Sequence, residues 1–570
     1  MKSPEAAKAD VCLLVEGTYP FVSGGVSSWV HDIIGGHPEL RFAVLNVGSH
    51  PGAYGEPRFK LPDNVVGLHR VFCQETARPP LDGAARADLR EEIRTLRAAV
   101  DTEARPSRVL AGMRRLHLED PSDPEPLGAV LADLATNDLT LEEFLYGRAS
   151  FDLLTALADR TAAEAPFLDL FWHYRAIHVP MLRLLAAPVV PATCYHAIAT
   201  GYAGLLAAVW SQRTGRPLAL TEHGIYARER EMELARADWI RDAAETDDGG
   251  FGLRTATWAP HISPLRKIWS RFFRALSRLA YARAGRIVTL SEVNRGKQIA
   301  DGAPPAKIDI VPNGVDLPDD PPLLEAVAEE VADEKAGHGG AGVIVLRSPP
   351  LRVGFVGRVV PIKDLITFIR ACDLALRAVE LEVRVIGPME EDPAYATRCR
   401  DLVARFGRAE QIAFVGPMKP ADIYPSLDVV VLTSFSEGQP LVILEAYARG
   451  VPVIASDVGA CREMIEGRDA ADRVLGPSGF VTRVAAPKET AAALIKLARD
   501  PALRQRLGAA GFRRVSAYYQ RRDMLASYRA IYASMGAAGT GEKEDRVDSV
   551  GRCPAESVAG GSGDPFPVPG

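Results

Sequence analysis

Arg352-Val-Gly-Phe-Val-Gly-Arg358-Val-Val-Pro-Ile-Lys363 is the stretch from which the fold can be read. Its opening residues are nearly all apolar, the pattern of a parallel strand buried on both faces. Gly357 closes the strand, and an apolar helical pattern starts beyond Lys363, so the segment reads strand, loop, helix. An Arg and a Lys five positions apart at such a turn can converge on one anion. The free N–H groups and positive dipole end of the helix add to the attraction. Arg supplies a bidentate fork and Lys a movable point charge, a pairing that suits a diphosphate. The plainer alternative is a basic loop engaged in surface ion pairs.

The same alternation extends to both sides. Downstream, strands at 382–386, 411–415, 429–432 and 453–456 are separated by helices. Upstream, strands fall at 11–16, 42–47, 193–197, 218–221, 286–290 and 308–311. From about 75 to 191 strand signals vanish and charged helical patterns take over, as at 89–99 and 139–157. Residues 318–350 mix Pro, Gly and acids and mark a boundary. The expected organisation is an α/β domain over 1–335 with a helical insertion at about 75–191, a second α/β domain over 345–516, and a helix at 517–535. A tail at 536–570 is too poor in apolar residues to fold. Two such Rossmann-like, doubly wound units in tandem set the carboxyl ends of two sheets across one cleft, where ligands of parallel sheets bind.

A second constellation, Ser434-Phe-Ser-Glu437-Gly438-Gln-Pro440, follows the strand at 429–432, and the next helix carries Glu445. Eight positions is a little over two helical turns, so both carboxylates can lie on one side of an extended ligand. Carboxylates accept hydrogen bonds from paired hydroxyls, which makes the vicinal diols of a sugar or ribose natural partners. The alternative is one Glu near a helix dipole and another in solvent.

Composition narrows the class. The chain has 570 residues, 47% hydrophobic and 25% charged, enough for two to four domains. Its 67 Lys and Arg against 73 Asp and Glu give a net charge of −6, which excludes the global cationic field of a nucleic-acid binder. Seven scattered cysteines with no C-x-x-C pair point to a reducing compartment rather than a disulfide framework or zinc site. No signal-peptide pattern and no apolar run of about 18 residues occurs. A cytoplasmic protein, at most peripheral at a membrane, is expected. No Asp-x-Asp triplet occurs, so neither a metal nor another cofactor is expected. Residues 261–286 hold seven basic and no acidic side chains with apolar residues at helical spacing. That amphipathic helix suits an anionic membrane or partner; packing on its own domain is favoured, because the sheet needs covering.

The spacing Gly357-Arg358-x-x-Pro361-x-Lys363, then Glu437-x7-Glu445, with the early Ser23-Gly24-Gly25-Val26 loop, resembles the retaining GT-B glycosyltransferases of family four. Thr221-Glu222-His223-Gly224-Ile225-Tyr226-x-Arg228-Glu229-Arg230, with Tyr19-Pro-Phe-Val-Ser-Gly-Gly25, is similar to their Pel exopolysaccharide (PelF-type) members. The resemblance implies a GT-B fold and transfer of a hexose or N-acetylhexosamine from a UDP-sugar to a growing polysaccharide, within a biofilm exopolysaccharide synthesis complex at the inner membrane. It implies that Arg358 and Lys363 hold the diphosphate and Glu445 the ribose. Glu437 would contact the donor sugar, with Gly438 beside it. Residues 415–418, ending at Met418, would meet the base, and Gly24 and Gly25 would approach the phosphates. His223 would point into the cleft from the opposite side to contact the sugar or orient the acceptor. Two other classes stay open: a UDP-sugar epimerase of the same shape and a non-catalytic scaffold of a secretion complex.

Overall fold

The computed structural model describes residues 9–74, 106–118, 125–161, 165–235, 237, 240, 264–320 and 349–537. Two parallel sheets organise them. The first contains β1 (Ala9–Glu16), β2 (Phe42–Gly48), β3 (Val65–Phe72), β4 (Ala192–Ala197), β5 (Leu218–Glu222), β6 (Arg286–Thr289) and β7 (Ile308–Ile310), in the order β3-β2-β1-β4-β5-β6-β7. The second contains β8 (Leu351–Val356), β9 (Leu381–Ile386), β10 (Ile412–Gly416), β11 (Val429–Leu432), β12 (Val453–Ser456) and β13 (Gly479–Thr482), in the order β10-β9-β8-β11-β12-β13. The central strands are apolar on both faces because helices cover both; β1 pairs Leu13 with Val44 on one side and His196 on the other.

Each sheet reverses its winding once, between β1 and β4 and between β8 and β11. Loops leaving two such strands turn to opposite faces and open a crevice between them. The two segments singled out in the sequence, after β8 and after β11, therefore emerge side by side. Two strands escaped the sequence reading. β3 is a half-exposed edge strand whose His69 and Arg70 interrupt any apolar run, and β13 has only four residues.

Between β3 and β4 the described residues are helical: Arg108–Leu118, Glu125–Leu134, Leu141–Tyr146, Arg148–Thr161 and Phe167–Leu185. Val109, Met113, Leu157, Ile177 and Met181 join this layer to the sheet-covering helices in one core. The helix expected at 89–99 and the tail beyond 537 lie outside the described residues. The helix Pro264–Arg283 buries Leu265, Ile268, Phe272, Leu276 and Leu279. Its cations are largely engaged within the lobe: Arg266 donates to the carbonyls of Ala237 and Ile240, Arg274 pairs with Glu231, and Arg283 donates to the carbonyl of Ser211. The packing alternative accounts for it. No described helix is long and apolar enough to cross a membrane.

The last helix, Arg521–Ser534, returns to the first lobe and packs beside β4 and β5. His196 Nδ1 lies 2.8 Å from the Tyr532 hydroxyl, His196 Nε2 lies 2.8 Å from Thr221 Oγ1, and that hydroxyl meets Tyr528 at 2.9 Å. All four side chains are buried, and burial holds His196 near a pKa of 3, so the imidazole is neutral. Tyr532→Phe leaves one ring nitrogen without its partner in a dry site. A loss of about 1–3 kcal/mol is expected, read as a fall in the urea midpoint.

Candidate functional site

After β8, Gly357 takes φ +152°, a backbone open to glycine alone at little cost. A short turn, Pro361–Lys363, then leads to the helix Leu365–Ala375, capped by Asp364 through the Thr367 N–H at 3.2 Å. The loop after β11 is stitched to this turn. Thr433 Oγ1 donates to the Asp364 carbonyl at 2.8 Å, and the Phe435 N–H donates to the Ile362 carbonyl at 2.8 Å. These bonds bring Lys363 Nζ to 2.6 Å from Glu437 Oε1, and Ser434 Oγ donates to the same oxygen at 2.6 Å. Glu437 Oε2 has no hydrogen-bond partner among the described residues. The Glu437 side chain is 9% exposed and that of Lys363 24%, so the pair is held in place yet reachable.

Arg358 does not join them. Its guanidinium binds both oxygens of Glu391, at 2.6 and 2.8 Å. The cause is topological: Glu391 follows β9, the other neighbour of β8, and offers a nearer carboxylate. The expected convergence of Arg358 and Lys363 is therefore absent from this structure. The Arg358–Glu391 pair is exposed on both sides, however, and such pairs contribute at most about 1 kcal/mol, so a stronger anion can displace Glu391.

Glu445 sits on the helix Leu441–Tyr447 and accepts a short hydrogen bond from the Tyr424 hydroxyl on Oε2. Burial raises its pKa, against the pull of that bond and of Arg521. Met418, in the loop after β10, packs on the apolar cluster beneath this helix. Across the cleft, the Gly24–Gly25 turn starts the helix Gly25–Gly35. Nothing approaches the side-chain direction of Gly24, and that of Gly25 faces Leu441 at 3.8 Å.

His223 departs from expectation. Its ring packs inside the first lobe, edge to face with Trp29 at a centroid distance of 4.7 Å, and its Nε2 is enclosed without a partner. Burial lowers its pKa to about 4, so it is neutral near pH 7. What His223 turns toward the second lobe is its backbone: a Cβ on Gly438 would lie 1.6 Å from the His223 carbonyl oxygen. Beneath the turn, buried Glu222 accepts from Thr200 Oγ1 at 2.9 Å, Gln298 Nε2 at 2.8 Å, the Tyr281 hydroxyl and the Tyr226 N–H at 3.3 Å.

Two further residues, Gln439 and Glu229, carry geometry that the sequence reading left unassigned. Gln439 bridges the lobes: its Oε1 accepts from the Asn313 N–H at 2.6 Å, its carbonyl from Asn313 Nδ2 at 3.1 Å, and its Nε2 donates to the Leu290 carbonyl at 3.3 Å. No local pattern announces a partner 126 residues away. Glu229, inside the motif quoted above, has its carboxylate over Gly224, 1.9 Å from where a Cβ would stand. Its place six residues after His223, near the start of a helix, was the available signal. Burial, then the charge of Glu222, raises its pKa to about 6. Glu229 and Glu437 line one cavity of about 960 Å³ between the lobes. Among the described residues no three His, Cys, Asp or Glu side chains cluster as a metal centre.

The chain resembles known proteins in two parts. Residues 9–306 match the family described as Domain of unknown function (DUF3492), and residues 350–500 match the family described as Glycosyl transferases group 1. It is 32% identical over 252 residues to a D-inositol 3-phosphate glycosyltransferase of Kribbella flavida, covering 41% of this chain and 54% of that one. A protein of the same description from Geodermatophilus obscurus is 33% identical over 273 residues, covering 45% and 55%. The chain thus spans about half the length of these relatives. Among solved structures, sucrose-phosphate synthase of Thermosynechococcus elongatus superposes with a TM-score of 0.54 at 14% identity, over 93% of this chain and 99% of that one. Anabaena HepE in complex with UDP and glucose superposes with a TM-score of 0.51 at 14% identity, over 92% and 100%. The fold is that of the GT-B glycosyltransferases.

The raised pKa of Glu229 has a consequence for stability. The folded state holds this proton more tightly than the unfolded chain, whose value is near 4.5, so ionising it costs folding energy as pH climbs from 4.5 through about 6. Above that window the cost is about 2 kcal/mol. Glu229→Gln is therefore expected to raise the melting temperature at pH 8, with the gain shrinking toward zero near pH 4.5. Thermal melts across that range check it.

Proposed function

Because the chain belongs to the DUF3492 family and its second lobe matches the group 1 glycosyl transferases, we propose that it is a metal-independent, retaining glycosyltransferase. It moves a hexose or N-acetylhexosamine from a UDP-sugar to a growing exopolysaccharide of the Pel (PelF-type) kind. The observation that carries this reading is the Lys363–Glu437–Ser434 cluster at the winding reversal of the second sheet. Lys363 uses one of its three protons on Glu437, which leaves two for phosphate oxygens. Arg358 exchanges Glu391 for the diphosphate. Charge that builds on the departing diphosphate then meets cations already in position, the arrangement that lowers a barrier most.

Glu437 Oε2 receives a hydroxyl of the donor sugar, and Glu445 Oε1, not used by Tyr424, receives the ribose. The loop through Met418 meets the base, while Gly24 and Gly25 keep the cleft free of side chains and Gly438 lets the lobes close beside the donor sugar. UDP is the favoured nucleotide because the similarly folded HepE binds UDP with glucose. Neutral His223 acts through the turn that it anchors. Retention follows from attack on the same face as the leaving group: the acceptor oxygen bonds the anomeric carbon as the carbon–phosphate-oxygen bond breaks, and the hydroxyl proton passes to the departing phosphate. In this reading the protein works in the cytoplasm, docked with a synthesis complex at the inner face of the membrane.

Incubation with a panel of UDP-sugars and a polysaccharide fragment, followed by assay of free UDP, tests the proposal. Lys363→Ala and Glu437→Ala are each expected to lower turnover at least about a hundredfold, with melting temperatures within a few degrees of wild type. Arg358→Ala, whose native partner is an exposed carboxylate, is expected to fall less, about tenfold. Near-wild-type turnover of the Lys363 and Glu437 variants contradicts the assignment.

A further inference from the structure

The cavity of about 960 Å³ extends away from Glu437 along the helix Tyr226–Ala235 on the first lobe and the segment after β12 on the second. Its lining includes seven carboxylates and five cations. Most of these charges are already matched. Arg228 binds Asp301 through two hydrogen bonds of 3.0 and 3.1 Å, and Arg274 binds Glu231 at 2.6 Å. On the facing wall Arg462 spans Asp457 and Glu466 at 2.7 and 2.8 Å. Glu463 accepts the Val293 N–H at 3.0 Å, and Glu437 is held by Lys363.

Glu229 is different. Its partly buried carboxylate has no hydrogen bond or ion pair among the described residues, and neighbouring Arg230 is bound to Glu233 at 2.7 Å. A carboxylate kept at a cost to folding and left without a donor is suited to a ligand that brings donors. Lys297 and Arg473 are the cations on the wall without a carboxylate contact among the described residues; Lys297 lies within the fields of Arg228, Asp301 and Glu229, and Arg473 donates to the Gly467 carbonyl at 3.4 Å. Seven carboxylates against five cations, three of them already paired with carboxylates, leave the wall with hydrogen-bond acceptors in excess.

We propose that this cavity is the acceptor site, that Glu229 binds hydroxyl groups of the acceptor, and that the site selects an uncharged saccharide over a phosphorylated one. The inference rests on the transferase reading above and specifies its second substrate. A neutral sugar supplies O–H donors to Glu229 without adding charge. A phosphate there would face an excess of carboxylates, and Arg228, Arg274 and Arg462 are already bound to carboxylates.

The test is titration calorimetry on the full chain saturated with UDP, with cellobiose and chitobiose as neutral probes and glucose 6-phosphate as the anionic one. At least one neutral disaccharide is expected to bind, and more tightly than the phosphorylated sugar. Glu229→Ala is expected to weaken that binding about tenfold or more while the affinity for UDP stays unchanged. Glu229→Gln, which keeps the shape, repeats the comparison if the Ala variant loses UDP. Tighter binding of glucose 6-phosphate, equal disaccharide affinity with and without the carboxylate, or binding of neither disaccharide overturns the inference. Failure of the wild-type chain to bind UDP instead contradicts the transferase reading, so the two failures are told apart.

Discussion

The two lobes meet where residue 438 has no side chain. A single Cβ there would overlap the His223 carbonyl oxygen, so only glycine permits the approach that sets Glu437 of one lobe opposite Glu229 of the other. Gln439, the next residue, fixes the contact with three hydrogen bonds, two from Asn313 and one to the Leu290 carbonyl. Both side chains are buried, so breaking the bridge would strand several polar atoms at once. Glu463 capping the Val293 N–H and Arg521 reaching Asp32 add weaker ties around the same seam. The composite cavity exists because of this close approach.

That approach also gives His223 its place in the seam. Its ring wedges against Trp29 on the helix that starts at Gly25, and its carbonyl abuts Gly438. Glu222 clamps the turn from below with four donors, so the backbone of 222–226 is a rigid spacer between the lobes. A charged imidazole would be poorly tolerated there, and burial keeps it neutral.

The sequence disclosed what depends on local pattern. Apolar runs gave the buried strands, and their positions just after strand ends marked Lys363 and Glu437 as cleft residues; that the two meet follows from the strand order, since strands flanking a winding reversal send their loops to one crevice. It hid what depends on partners far along the chain. Arg358 looked like a twin of Lys363 until Glu391, across the neighbouring β9, claimed it. Gln439 looked like one residue of a loop, because Asn313 lies in a different lobe. The edge strand β3 was hidden for the opposite reason: half exposed, it carries no run of apolar residues to find.

The electrostatics around Lys363 and Glu437 then follow from one asymmetry. A diphosphate beside Glu437 would be repelled if that carboxylate stood alone. Lys363 and Ser434 both bind Oε1, which pulls negative charge toward the ammonium and leaves Oε2 facing away from it. An anion arriving at the remaining ammonium protons meets a cation already oriented by its carboxylate, so little side-chain entropy is left to lose. A sugar attached to that anion can present a hydroxyl to Oε2 without breaking the pair. The free nucleotide cannot, so on the transferase reading the same geometry favours the intact sugar nucleotide over the free one.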